Sequence, residues 1–76
     1  MMEQNFFEQL KEIFELNTGE ININDKFRDY EKWDSLTALT VIAMLDSEFG
    51  IVLESREFNK LITVGDLLSE VKKRIV

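Results

Sequence analysis

The sequence predicts an all-α fold: a small four-helix bundle of three main helices and one short one, with a long loop between helices one and two. Three observations predict it. Apolar residues recur at helical spacing in three separate segments. Proline is absent and glycine occurs 3 times in 76 residues, so little interrupts a helix. One segment alternates like a strand, but no second segment can pair with it. The length fits one domain, 1–76. A hydrophobic content of 45% is too high for a disordered chain, and with no cysteine or histidine the fold must rest on packing alone.

The first helix is expected over residues 3–16, where Phe6, Phe7, Leu10, Ile13 and Phe14 share one face and Glu and Lys occupy the other. Asn17, Thr18 and Gly19 should stop it. Glu20 to Asn24 alternates, and reads as a loop whose Ile21, Ile23 and Phe27 anchor it to the core. A connection running from residue 17 to residue 34 is long for so small a domain. Residues 35–49 form the strongest helix, with Asp34 as its N-cap and Gly50 as its C-terminal stop. Glu54 to Lys60 suits one or two turns carrying Phe58. Thr63 opens the last helix with Asp66 three residues on, a variant capping box. Val64, Leu67, Leu68, Val71 and Ile75 make its apolar stripe, and Lys72, Lys73 and Arg74 complement the dipole in its last turn.

The charge narrows the partners. Nine basic against fifteen acidic side chains, net −6, disfavour nucleic acid and anionic membrane surfaces and favour proteins with basic surfaces. No apolar run approaches the roughly 20 residues of a membrane span, and the first residues lack the pattern of a signal peptide. A cytoplasmic location and a monomeric state are the simple expectations.

The absence of Cys and His removes the usual zinc sets, thiol redox chemistry and Ser-His or Cys-His nucleophiles. Acid–base work would fall to carboxylates or Lys, and nothing in their spacing marks a buried pair. A calcium loop counted from Asn22 fails, because Lys26 and Phe27 stand where an oxygen ligand and a glycine are needed. No metal site is expected. One constellation stands out: Trp33-Asp34-Ser35-Leu36, where the long loop meets the best helix. With Asp34 as N-cap, Ser35 lies in the first turn. Its hydroxyl should face solvent at the positive end of the helix, a place suited to a phosphate ester.

Asp34-Ser35-Leu36, followed without a gap by the stretch from Thr37 to Leu53, resembles the acyl carrier proteins over nearly the whole chain. Leu45, Glu48-Phe49 and Lys60 to Val64 resemble the family at matching distances. The resemblance implies a carrier, not an enzyme. Ser35 would hold 4′-phosphopantetheine, moved from coenzyme A by a phosphopantetheinyl transferase that uses magnesium and recognises Asp34. The arm would supply the thiol this chain lacks, and present its acyl thioester to loading and transferring enzymes. The preceding Trp33 is similar to freestanding carriers of specialised biosynthetic pathways rather than those of bulk fatty-acid synthesis.

Two departures from the family sharpen that reading. At about 100° per residue, Leu36, Thr40, Ala43 and Ser47 form a stripe beside Ser35. In fatty-acid carriers this stripe docks partners and is usually acidic; here it is uncharged. Docking through Leu36, Thr40, Ala43, Met44 and Ser47, with charge at the rim, is therefore expected. Fatty-acid carriers can also sequester an acyl chain, and the matching residues here would be Phe27, Leu39, Leu45, Leu53, Phe58 and Leu61. Phe58 and Leu67 stand where smaller residues are frequent, so little sequestration and a short, polar or rigid cargo are expected. A peptidyl or aminoacyl carrier remains an alternative, although Glu31-Lys32-Trp33-Asp34 replaces the glycine-rich lead-in of many peptidyl carriers. An unmodified helical interaction module is the other.

Overall fold

The computed structural model describes residues 2–16, 19 and 21–75. Four α-helices follow one another: α1 (Met2–Phe14), α2 (Ser35–Phe49), α3 (Ser55–Phe58) and α4 (Val64–Ile75), with a 3-10 turn at Phe27–Asp29 in the loop before α2. They enclose one core within extents of 29 × 27 × 20 Å. The all-α bundle expected from the spacing is the fold observed.

Each helix buries the stripe its sequence carries. In α1, Phe6, Leu10 and Phe14 are buried at intervals of four residues. In α2 the buried set is Val41, Met44 and Leu45; in α4 it is Val64, Leu67, Leu68 and Val71. Ile75, expected in the last stripe, is 45% exposed because α4 has by then run past the core. The α3 segment is a single turn, which places Phe58 inside.

Helix α1 ends earlier than expected. Glu15 adopts a left-handed backbone (φ 55°), and the Leu16 N–H donates to the Lys11 carbonyl at 2.8 Å. The helix is thus stopped before Asn17 and Thr18, which lie outside the described residues.

The long loop is held by hydrogen bonds to α4 more than by its isoleucines. Ile21 is half-buried and Phe27 is buried, but Ile23 is exposed, contrary to expectation. Its carbonyl instead accepts the Gly65 N–H at 2.8 Å, and the Asp25 carbonyl accepts the Val64 N–H at 2.9 Å. Both donors belong to the first turn of α4, where the helix itself offers no acceptor. The approach is close: a Cβ on Gly65 would stand 3.0 Å from the Ile23 oxygen. Lys26 and Thr63 form an isolated bridge beside it. Within the loop, the Asp25 carboxylate accepts from the Tyr30 hydroxyl (2.8 Å) and the Asn22 N–H (2.9 Å). Burial, then this bond and the charge of Asp25, push the Tyr30 phenol above its ordinary range.

Candidate functional site

The end of the long loop and the start of α2 are locked by Asp34. Its backbone is extended, its Oδ1 accepts the Thr37 N–H at 2.8 Å, and its own N–H donates to Thr37 Oγ1 at 2.8 Å. This is a reciprocal capping box. Asp34 was legible as a cap; Thr37 was not singled out, although an acceptor three residues after the cap is the signal for it. Gly50, in the left-handed region, ends the same helix, its N–H donating to the Asp46 carbonyl at 2.9 Å.

Ser35 is therefore the first residue of a helix capped at both ends, and it is exposed. Among the described residues, the Ser35 and Leu36 N–H groups have no backbone or side-chain acceptor. An exposed hydroxyl beside two free donors at a helix N-terminus suits a phosphate ester, whose oxygens those donors can meet. The Asp34 carboxylate is turned to the Thr37 N–H.

Leu36, Thr40, Ala43 and Ser47 all lie exposed along α2, as their spacing requires. Thr40 donates its hydroxyl to the Leu36 carbonyl at 2.9 Å, so it presents mainly its methyl group. Met44, grouped with them on sequence grounds, is instead buried, 6% exposed, because its position on α2 faces α1. It forms the floor of an open groove of about 260 Å³ between the two helices, with Gln9, Ile13, Thr40, Ala43, Ser47 and Glu48 around it. Asn5 and Gln9 both donate to Glu48 Oε1, each at 3.4 Å, at one side of this groove.

The residues expected to line a cargo cavity divide. Phe27, Leu45, Leu53 and Phe58 are buried in the one core, and Leu61 packs against it half-buried. Leu39 does not join them. It is 61% exposed, on the same outward face as Leu36, which is 70% exposed. The side chain four positions from Ser35 points into solvent, while α2 packs against α1 and α4. What sequence reasoning missed is the role of Arg28 and Trp33 in closing this core. The Arg28 guanidinium lies 4.7 Å from the Phe27 ring and 5.4 Å from the Phe58 ring, and donates to the Phe58 carbonyl at 3.1 Å and to the Leu61 carbonyl. No periodicity announces such a contact, since its two carbonyl acceptors lie thirty residues away or more.

The described residues contain no cluster of acidic side chains able to hold a metal ion, and no helix long and apolar enough to cross a membrane.

Comparison with known proteins decides the family. Residues 6–71 match the family model described as phosphopantetheine attachment site. The chain belongs to the acyl carrier protein family. It is 32% identical to an acyl carrier protein of Lactobacillus acidophilus over 95% of both chains. An acyl carrier protein homolog of Mycoplasma genitalium is 36% identical, over 84% of this chain and 81% of that one. A solved structure from Mycobacterium tuberculosis, assigned as an acyl carrier protein, superposes with a TM-score of 0.84 at 28% identity, covering 97% of this chain and 99% of that one. This carrier is thus not an enzyme: it works with a phosphopantetheinyl transferase and with acyl-handling enzymes. Its prosthetic group is 4′-phosphopantetheine. That group supplies the thiol on which the acyl cargo is held, and the chain, with no cysteine, has none of its own.

Proposed function

We propose that Ser35 is the attachment residue and that this carrier serves a specialised pathway rather than bulk fatty-acid synthesis, as a cytoplasmic monomer. The observation that supports attachment is the exposed hydroxyl on the first residue of the doubly capped α2, beside N–H donors without acceptors. In this reading the hydroxyl gives its proton to a base of the transferase. Its oxygen takes the phosphoryl end of the arm from coenzyme A, and the adenosine bisphosphate half leaves. The Ser35 and Leu36 N–H groups then face the phosphodiester, and Asp34 keeps the helix start rigid while the modifying enzyme docks.

Intact mass after incubation with coenzyme A, magnesium and a broad-specificity phosphopantetheinyl transferase tests this. The wild type should gain one phosphopantetheine, and Ser35→Ala none. A gain that persists in Ser35→Ala would move the site elsewhere. Asp34→Asn keeps an N-cap acceptor and should fold as well as the wild type while accepting the group more slowly, which separates recognition from capping.

The pathway reading rests on the face beside Ser35. From Ser35 to Leu45 α2 carries no charge; Asp46 and Glu48 follow only at its far end. A partner that meets this face needs an apolar, uncharged contact, with basic groups confined to its rim. A bacterial malonyl transferase of fatty-acid synthesis should load the holo-protein roughly tenfold more slowly than its own carrier, equivalent to about 1.4 kcal/mol of lost contact. Thr40→Glu should recover part of that rate. Equal loading of wild type and fatty-acid carrier would remove the pathway proposal and leave attachment at Ser35 intact.

A further inference from the structure

The loop residue two positions before Ser35 packs half-buried against the core. The Trp33 ring is stacked between Phe14 and Phe58, its centroid 6.1 Å from each, at interplanar angles of 26° and 15°. Phe27 leans on both neighbours, 5.5 Å from Trp33 and 5.5 Å from Phe58. The stack joins three parts of the chain: α1, the long loop and α3. Arg28 clamps it from outside, with its guanidinium 5.5 Å from the Trp33 ring and its donors on the carbonyls of Phe58 and Leu61. Both acceptors lie at the end of α3 and just beyond it, so the clamp ties the loop to α3.

An alkyl chain tethered next to a small domain gains by leaving water only where the interior offers room. Among the described residues, one groove is lined by α1 and α2 and another by the end of α1 and Leu16; neither reaches Trp33, Phe58 or Leu61. Beside Ser35 the large apolar side chains in the open are Leu36 and Leu39, on the outer face of α2.

We propose that Trp33, backed by Phe58 and clamped by Arg28, is the specificity-determining residue of this carrier: it closes the core behind the attachment hydroxyl, so that the cargo stays outside and is a short or polar acyl group. A long alkyl cargo would remain in water next to two exposed leucines, adding to an apolar surface rather than removing one. The inference rests on attachment at Ser35.

The experiment loads the full chain from acetyl-coenzyme A and from octanoyl-coenzyme A, using the same transferase, and confirms each product by intact mass. Amide spectra of the two products should differ in the wild type only near residues 35–39. Hydroxylamine should release both acyl groups at rates within about twofold, since neither is shielded. Trp33→Leu and Phe58→Leu keep an apolar core while opening space. In both, octanoyl but not acetyl should shift the amides of Phe14, Leu45 and Leu53, and octanoyl release should slow about threefold or more. Octanoyl-dependent core shifts in the wild type overturn the proposal, as does their absence from both folded variants. Failure of any mass gain overturns attachment at Ser35 instead, and this inference with it.

Discussion

At Glu15 the chain accepts a left-handed backbone without glycine, in order to end α1 at Phe14 and turn into the loop. An L-residue with a Cβ pays roughly 1–2 kcal/mol for that conformation, partly offset by what glycine loses in the unfolded chain. Among the described residues, Glu15 has one charged partner, Lys32 at 3.9 Å, and both side chains are largely in water, so the pair adds little. Glu15→Gly should therefore raise stability by about 0.5–1 kcal/mol, read as a higher urea midpoint with unchanged slope. An unchanged or lower midpoint would show that Glu15 is not strained. The same residue marks a limit of local reading. Asn17, Thr18 and Gly19 carry a helix-stop composition, but the stop was set upstream, where Phe14 must face Tyr30 and Trp33 at ring-contact distance. Asp34 is the opposite case. An acidic residue directly before the best apolar run is a cap by its own chemistry, and no long-range contact was needed to see it.

The short and last helices depend on carboxylates that hold backbone donors. Asp66 accepts the N–H groups of Thr63 and Ile62, both at 3.0 Å, and these bonds hold its carboxyl below the usual range. Glu57 is held low first by the Glu54 N–H at 3.2 Å and then by Arg74, which Glu70 also faces at 2.9 Å. A carboxyl depressed in the folded state stabilises fully above the unfolded value, near pH 4, and that contribution disappears as pH falls through the depressed value. The thermal midpoint should consequently be flat from neutral pH to about pH 5 and fall steeply below pH 4. Asp66→Asn should lower the neutral midpoint and flatten part of the acid limb. A limb unchanged by that substitution would assign acid sensitivity to other groups. Thr63 and Asp66 were readable as a pair because capping is a three-residue chemistry. The length of α3 was not: one turn suffices once Phe58 has reached the core.

Across the whole molecule, the decisive contacts join segments far apart in sequence. Arg28 reaches the carbonyls of Phe58 and Leu61 and covers three aromatic rings. Bonds from a charged donor to buried carbonyls are worth about 1.5–3 kcal/mol, and the ring contacts add about 0.5–1. For a half-buried side chain, Arg28→Ala should cost about 2 kcal/mol in urea denaturation, and Arg28→Lys should restore less than half, because an ammonium cannot span both carbonyls as a planar fork does. Full recovery by lysine would reduce the clamp to a simple charge. Equally non-local is the strap formed by Ile23 and Asp25 on the first turn of α4. Alternating isoleucines suggested apolar anchoring, but a loop that must satisfy its own carbonyls near a helix N-terminus found donors there, leaving Ile23 exposed.

Local spacing and residue chemistry were enough for the number of helices, most of the side chains they bury, the caps at Asp34 and Thr63, and the exposure of Ser35, because each depends on neighbours within one or two turns. Tertiary packing alone decided where α1 stops, that Leu39 faces water while Met44 lies beneath a groove, and that Trp33 packs against the core. Those outcomes depend on which arc of α2 is covered by α1 and α4, and on an arginine whose carbonyl acceptors lie thirty or more residues along the chain. Periodicity tells a side chain which face of its helix it occupies; only the assembled bundle tells that face what it meets.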